Sequence, residues 1–150
     1  MENPSILSHV SVGVRDVERS ARFYDAVLAT VNARRILSHE SAVGYGRVFP
    51  EFWISRPLDG GEPSVGNGTH VSFLAASPEE VDAFWEAALA QGAAGDGAPG
   101  LRPEYHAGYY ACFVRDPDGH KVEAQFNDWA MAKAGGTDSA PEGEPEAHPT

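Results

Sequence analysis

The sequence predicts an α+β domain built from one β-α-β-β-β unit used twice. Sliding the chain by 61 residues lays His9 on His70, Val10 on Val71, Ser11 on Ser72, Asp16 on Ser77, Phe23 on Phe84, Tyr24 on Trp85 and Leu28 on Leu89, an internal repeat. In each copy a short alternating run leads into an amphipathic helix, and further strand signals follow that helix. From Gly135 onward the chain is Gly, Pro and acids with no aliphatic residue larger than Ala, so 1–134 is expected to fold and 135–150 to be a disordered acidic tail. Within the folded part, module one runs over about 5–58 and module two over about 67–128.

The elements follow in order. In the run Leu7-Ser8-His9-Val10-Ser11-Val12, strand alternation turns Val10, Val12 and Val14 toward a helix and His9 and Ser11 the opposite way. Asp16 is a good N-cap, and Val17, Ala21, Tyr24, Leu28 and Val31 form one helical stripe that Phe23 and Val27 widen. Strand signals then cover 34–36, 42–45 and 51–55. Gly60-Gly61 and Gly66-Asn67-Gly68 join the copies. Neither cluster precedes a helix, so neither reads as a phosphate-binding loop.

Module two opens with Thr69-His70-Val71-Ser72-Phe73. Ser77-Pro78-Glu79-Glu80 is a capping box with proline at N1; Val81, Phe84, Trp85, Ala88 and Leu89 form the stripe, and Gly92 sits where a C′ glycine belongs. Completing the repeat requires a weak strand between Gly95 and Tyr105. Two clearer strands, 109–114 and 121–126, flank the turn Asp116-Pro117-Asp118-Gly119.

Composition narrows the function classes. At 150 residues with 42% hydrophobic and 10% aromatic content, the chain can bury a core. Its 22 acidic against 11 basic residues give −11, of which −7 stays on residues 1–134, so nucleic acid and anionic membranes are not expected partners. A single cysteine, Cys112, rules out an internal disulfide and a cysteine-based zinc site; between Ala111 and Phe113 in a strand pattern it reads as a buried structural thiol. No apolar run is long enough to span a membrane and no signal peptide is evident, so a cytoplasmic location is expected.

In the last strand Val122, Ala124 and Phe126 share one face and Lys121, Glu123 and Gln125 the other. His9, His70 and Glu123 therefore all point away from the helix layer. Two imidazoles and a carboxylate bind a divalent metal without a thiol and leave coordination positions open for substrate. Near them, Tyr105-His106-Ala107-Gly108-Tyr109-Tyr110 offers His106 and Tyr109 as acid or base and Tyr105 as an aromatic wall, beside a glycine that permits close approach to a ligand. The alternative for that segment is a loop whose tyrosines pack at an interface. Trp53, Tyr45 and Phe49 either line an apolar pocket or fill the core.

The doubled unit, the two histidines and the closing run Asp116-Pro117-Asp118-Gly119-His120-Lys121-Val122-Glu123 resemble the vicinal oxygen chelate superfamily over about residues 5–128. That group holds glyoxalase I, extradiol dioxygenases, fosfomycin-modifying thiol transferases and bleomycin-sequestering proteins. The resemblance implies a cupped, partly open barrel of eight strands, with His9, His70 and Glu123 at the ligand positions of a divalent ion (Zn, Ni, Mn, Fe or Co). It implies a small organic substrate with vicinal oxygens and lyase, isomerase, dioxygenase or thiol transferase chemistry, or alternatively metal-free ligand sequestration. Glyoxalase I adds a fourth ligand where this chain has Trp53; Glu51, two residues earlier on the same face, restores it only if the register shifts. A homodimer is also implied, and a site shared between chains would set His9 and Glu123 against His70 of the partner subunit.

Overall fold

The computed structural model describes residues 4–134; the expected tail at 135–150 lies outside the described residues. Module one contains β1 (Val10–Gly13), α1 (Val17–Ala29), β2 (Arg34–Ser38), β3 (Ala42–Gly46) and β4 (Phe52–Ser55). Module two contains β5 (His70–Leu74), α2 (Pro78–Ala90), β6 (Ala94–Leu101), β7 (Tyr109–Arg115) and β8 (Lys121–Asn127). A short α3 (Trp129–Ala134) follows, which the sequence pattern does not announce.

Both long helices begin where the sequence punctuates them, and α2 also ends there; α1 ends at Ala29, short of the stripe residue Val31. Asp16 accepts from Arg19 N at 3.0 Å, and Ser77 Oγ from Glu80 N at 3.2 Å. The Glu80 carboxylate reaches back to Ala76 N at 2.9 Å, one residue beyond the usual capping-box partner. Each helix closes on a left-handed residue, Asn32 in α1 and Gly92 in α2, after which Ala33 N bonds to Leu28 O and Ala93 N to Ala88 O.

The strands form two four-stranded mixed sheets, ordered β1-β4-β3-β2 and β5-β8-β7-β6. In each, the first strand runs parallel to the last and the remaining pairs are antiparallel. The weak strand required between Gly95 and Tyr105 is β6, irregular at its glycines. No strand of one sheet pairs with a strand of the other, so the eight strands stay as two open halves.

One face of each sheet carries its helix, and α1 packs on α2, so a single core runs through both modules. Its aromatic spine passes from Tyr24 to Phe52 at 4.9 Å, to Phe73 at 5.0 Å and to Phe84 at 6.1 Å, crossing from one module to the other between Phe52 and Phe73.

The modules also grip each other by polar contacts. In the turn after β7, Asp116 Oδ1 accepts from Asp118 N and His120 N, and Oδ2 from the Tyr24 hydroxyl at 2.6 Å. Asp118 Oδ1 accepts from Arg15 N at 2.9 Å, with the Arg15 and Arg19 guanidinium groups beside it. His120 Nε2 donates to Gly13 O at 2.6 Å. From the other module, Arg47 Nη2 donates to Leu74 O at 2.7 Å. Gly13 and Leu74 are one repeat apart, so each module's last hairpin holds the same carbonyl at the end of the other module's first strand.

Candidate functional site

The site is built on the sheet faces that carry no helix. In module two the parallel β5–β8 pairing sets His70 beside Lys121 and Ser72 beside Glu123, and antiparallel β7 sets Phe113 on the other side of Glu123. Alternation then places His70, Ser72, Lys121, Glu123, Gln125, Tyr109 and Phe113 on one face. His70 Nε2 lies 3.1 Å from Glu123 Oε1, and the Tyr109 hydroxyl donates to Glu123 Oε2 at 2.5 Å. Glu123 is only 2% exposed, and a carboxylate so deeply placed needs both partners; His70, 44% exposed at its side chain, is the open side of the pair. Beside them Gln125 Oε1 is buried with no hydrogen-bond partner.

The 105–110 segment braces this group. Tyr105 meets Tyr109 edge to face at 5.0 Å. Buried His106 stacks on Trp129 of α3 at 5.0 Å and also meets Tyr109 edge to face. Both its ring nitrogens are engaged, Nδ1 with Ala107 O at 2.8 Å and Nε2 with Asn127 Oδ1 at 2.9 Å. Gly108, at φ +88°, approaches the backbone of Asp128 and not an open pocket. Burial and the neighbouring Glu123 carboxylate raise the Tyr109 phenol well above its ordinary pKa, so it stays a proton donor at neutral pH.

Module one presents a different set on the equivalent face. His9 is exposed, just ahead of β1, with Nδ1 at 3.0 Å from Ser8 Oγ. Trp53 pairs in register with Ser11, the place that Glu123 takes opposite Ser72. Its indole lies over Gly44, where a Cβ would come within 2.8 Å of the ring. Glu51 precedes β4 and is exposed; the register thus sets Trp53, and not Glu51, in the place equivalent to Glu123. Tyr45 pairs with Phe52 on the helix side of β3, 1% exposed, its hydroxyl 2.9 Å from Asp25 Oδ1 and 3.1 Å from Ala21 O. It is core. Phe49 is half-exposed in the β3–β4 turn.

His70 and Glu123 thus come together within one chain, whereas His9 does not join them: among the described residues no group of three His, Cys, Asp or Glu side chains is placed to hold a metal ion. A shared site would therefore add His9 to the His70–Glu123 pair, which corrects the expected division of His9 and Glu123 against His70. Cys112 is buried between sheet and α2, and burial pushes its thiol up to about 12, as expected of a structural cysteine.

A sequence profile of the Glyoxalase/Bleomycin resistance protein/Dioxygenase superfamily matches residues 6–124. The chain belongs to this superfamily. Among solved structures, a glyoxalase/bleomycin resistance protein from Albidiferax ferrireducens T118 is 38% identical, with a TM-score of 0.74 over 82% of this chain and 99% of that one. The fosfomycin resistance protein FosX from Listeria monocytogenes is 23% identical, with a TM-score of 0.61 over 85% of this chain and 98% of that one, a likeness of fold. A superfamily member from Burkholderia phytofirmans PsJN has a TM-score of 0.65 at 20% identity, covering 82% and 99%. No curated protein matches.

In this superfamily member the donor chemistry suits a divalent ion, with an imidazole nitrogen and a carboxylate oxygen already adjacent, and among the described residues one chain brings these two donor side chains together without a third. Sequence reasoning missed the Tyr109–Glu123 bond, because residues 14 apart meet there only through the β7–β8 register. It also missed the brace on His106, which depends on α3. No described helix is long and apolar enough to cross a membrane.

Proposed function

We propose that the protein is a metal-dependent enzyme of the glyoxalase and dioxygenase type, acting on a small organic substrate with vicinal oxygens in a homodimer. The observation that supports it best is the His70–Glu123 pair on the open face of β5 and β8. His70 and Glu123, completed by His9 of the partner subunit, would hold the ion. When bound, such an ion polarises an oxygen pair of the substrate. Tyr109 keeps its hydroxyl proton and donates it in a hydrogen bond to Glu123, and would act on substrate as a hydrogen-bond donor. His106, with both nitrogens engaged, positions Tyr109, while Tyr105 and, alongside the incoming His9, Trp53 of the partner subunit would wall the site.

A second reading, a metal-free protein that sequesters a planar or cationic ligand, draws on Trp53 in the place equivalent to Glu123 and on the net charge of −11. Elemental mass spectrometry on protein purified without a polyhistidine tag or chelator separates the two. The enzyme reading expects about one divalent ion per chain, with most of it lost in His70→Ala and in His9→Ala. Absence of metal, with no uptake of Mn, Fe, Ni or Zn, would overturn it in favour of sequestration.

A further inference from the structure

Beside His70 lies a pocket of about 420 Å³, lined by residues 64–69, His70, Arg115 and Lys121. Its 64–69 wall is held as a turn, Gly66 N bonding to Ser64 Oγ at 3.2 Å and Thr69 N to Gly66 O at 3.1 Å. Lys121 Nζ sits over the Phe113 ring at 5.0 Å and the Arg102 guanidinium over the same ring at 5.5 Å. Lys121 has no carboxylate within ion-pairing distance among the described residues, in a chain with twice as many acids as bases. Arg115, by contrast, is occupied by Asp96 at 3.0 Å. Strand geometry places Lys121 roughly 7 Å from Glu123 along β8, and the register sets it directly beside His70.

We infer that this pocket is an anion-binding subsite, taking the carboxylate or phosphoryl group of a small substrate whose oxygen pair faces His70 and Glu123. Lys121 supplies the charge; Arg102 lies outside the pocket lining, its Nη1 and Nη2 donating to Gly100 O at 2.9 Å and Ala98 O at 2.7 Å. The stacked ring keeps both stems in place while leaving the ammonium free of an acidic partner. The inference rests on the substrate-binding reading above and narrows it to organic acids or phosphoryl compounds.

The test uses chelator-treated, full-length protein, so that anion binding is read without metal. Inorganic phosphate and acetate are titrated separately at low salt, following backbone amide signals by two-dimensional NMR. Saturable shifts confined to 64–70 and 121 are expected, phosphate and acetate telling phosphoryl from carboxylate preference. Lys121→Gln should weaken binding by about tenfold or more, and the distant Lys133→Gln not at all. Unmoved signals with both anions, or undiminished binding in a folded Lys121→Gln variant, would overturn the subsite. Metal uptake measured on the same samples shows separately whether the enzyme reading stands.

Discussion

The two modules share a scaffold and differ in what they present on it. Asp16 and Ser77 cap equivalent helices, Phe23 and Phe84 fill equivalent core positions, and Gly13 and Leu74 offer equivalent carbonyls to the opposite hairpin. On the open faces the likeness stops. Module two fixes His70 against Glu123 and Glu123 against Tyr109, while module one leaves His9 exposed and puts an indole where the carboxylate would be. A repeat fixes where a side chain points; the identity of one residue in β4 or β8 decides whether that direction offers a ligand.

The scaffold half of the comparison gives the largest expected effect. Phe23→Ala and Phe84→Ala each empty a fully packed site and should each cost about 3–5 kcal/mol in urea unfolding. Costs that differ severalfold would mean that the modules are not energetic equivalents. The next effect separates Tyr24 from its counterpart Trp85, which has no hydroxyl to reach the Asp116 turn. Tyr24→Phe removes the bond to Asp116 Oδ2 and should cost about 1–3 kcal/mol. Burial, then the charge of Asp116, raises the Tyr24 pKa well above 10.0, so the folded chain keeps this proton after the unfolded chain has lost it. Stability therefore falls as pH rises above about 10, and the variant should show a shallower decline in unfolding followed across that range. The smallest expected effect is none: Trp53→Leu should leave metal content unchanged by elemental analysis, and loss of the ion would place module one's β4 in the ligand set.

Much of this was legible in the sequence because it is local. Caps at Asp16 and Ser77, the Gly92 stop and the alternation of β8 depend on neighbours a few residues away, and the structure places them as the pattern requires. The strand β6 was legible only through the repeat, since its glycines carry no alternation of their own. Tyr45 was ambiguous because β3 has glycines at 44 and 46, which give no polarity to set its phase; pairing with Phe52 turns it into the core. Which histidine meets Glu123 depends on contacts spanning 53 residues, and no local pattern reports that. The roles of His120 and Arg47 as ties between modules were hidden for the same reason.

Those ties bear on how one half of the chain selects the other. Each half grips the other through a hairpin at one end and a carbonyl at the other, and the connection from 56 to 69 contains neither helix nor strand. Nothing in the grip identifies the half it holds as belonging to the same molecule. Selection of the intramolecular partner falls to the tether, through the effective concentration it imposes. Shortening that tether would redirect the same contacts to a neighbouring copy and turn a self-contained chain into an exchanged pair, with the chemistry of the interface unchanged.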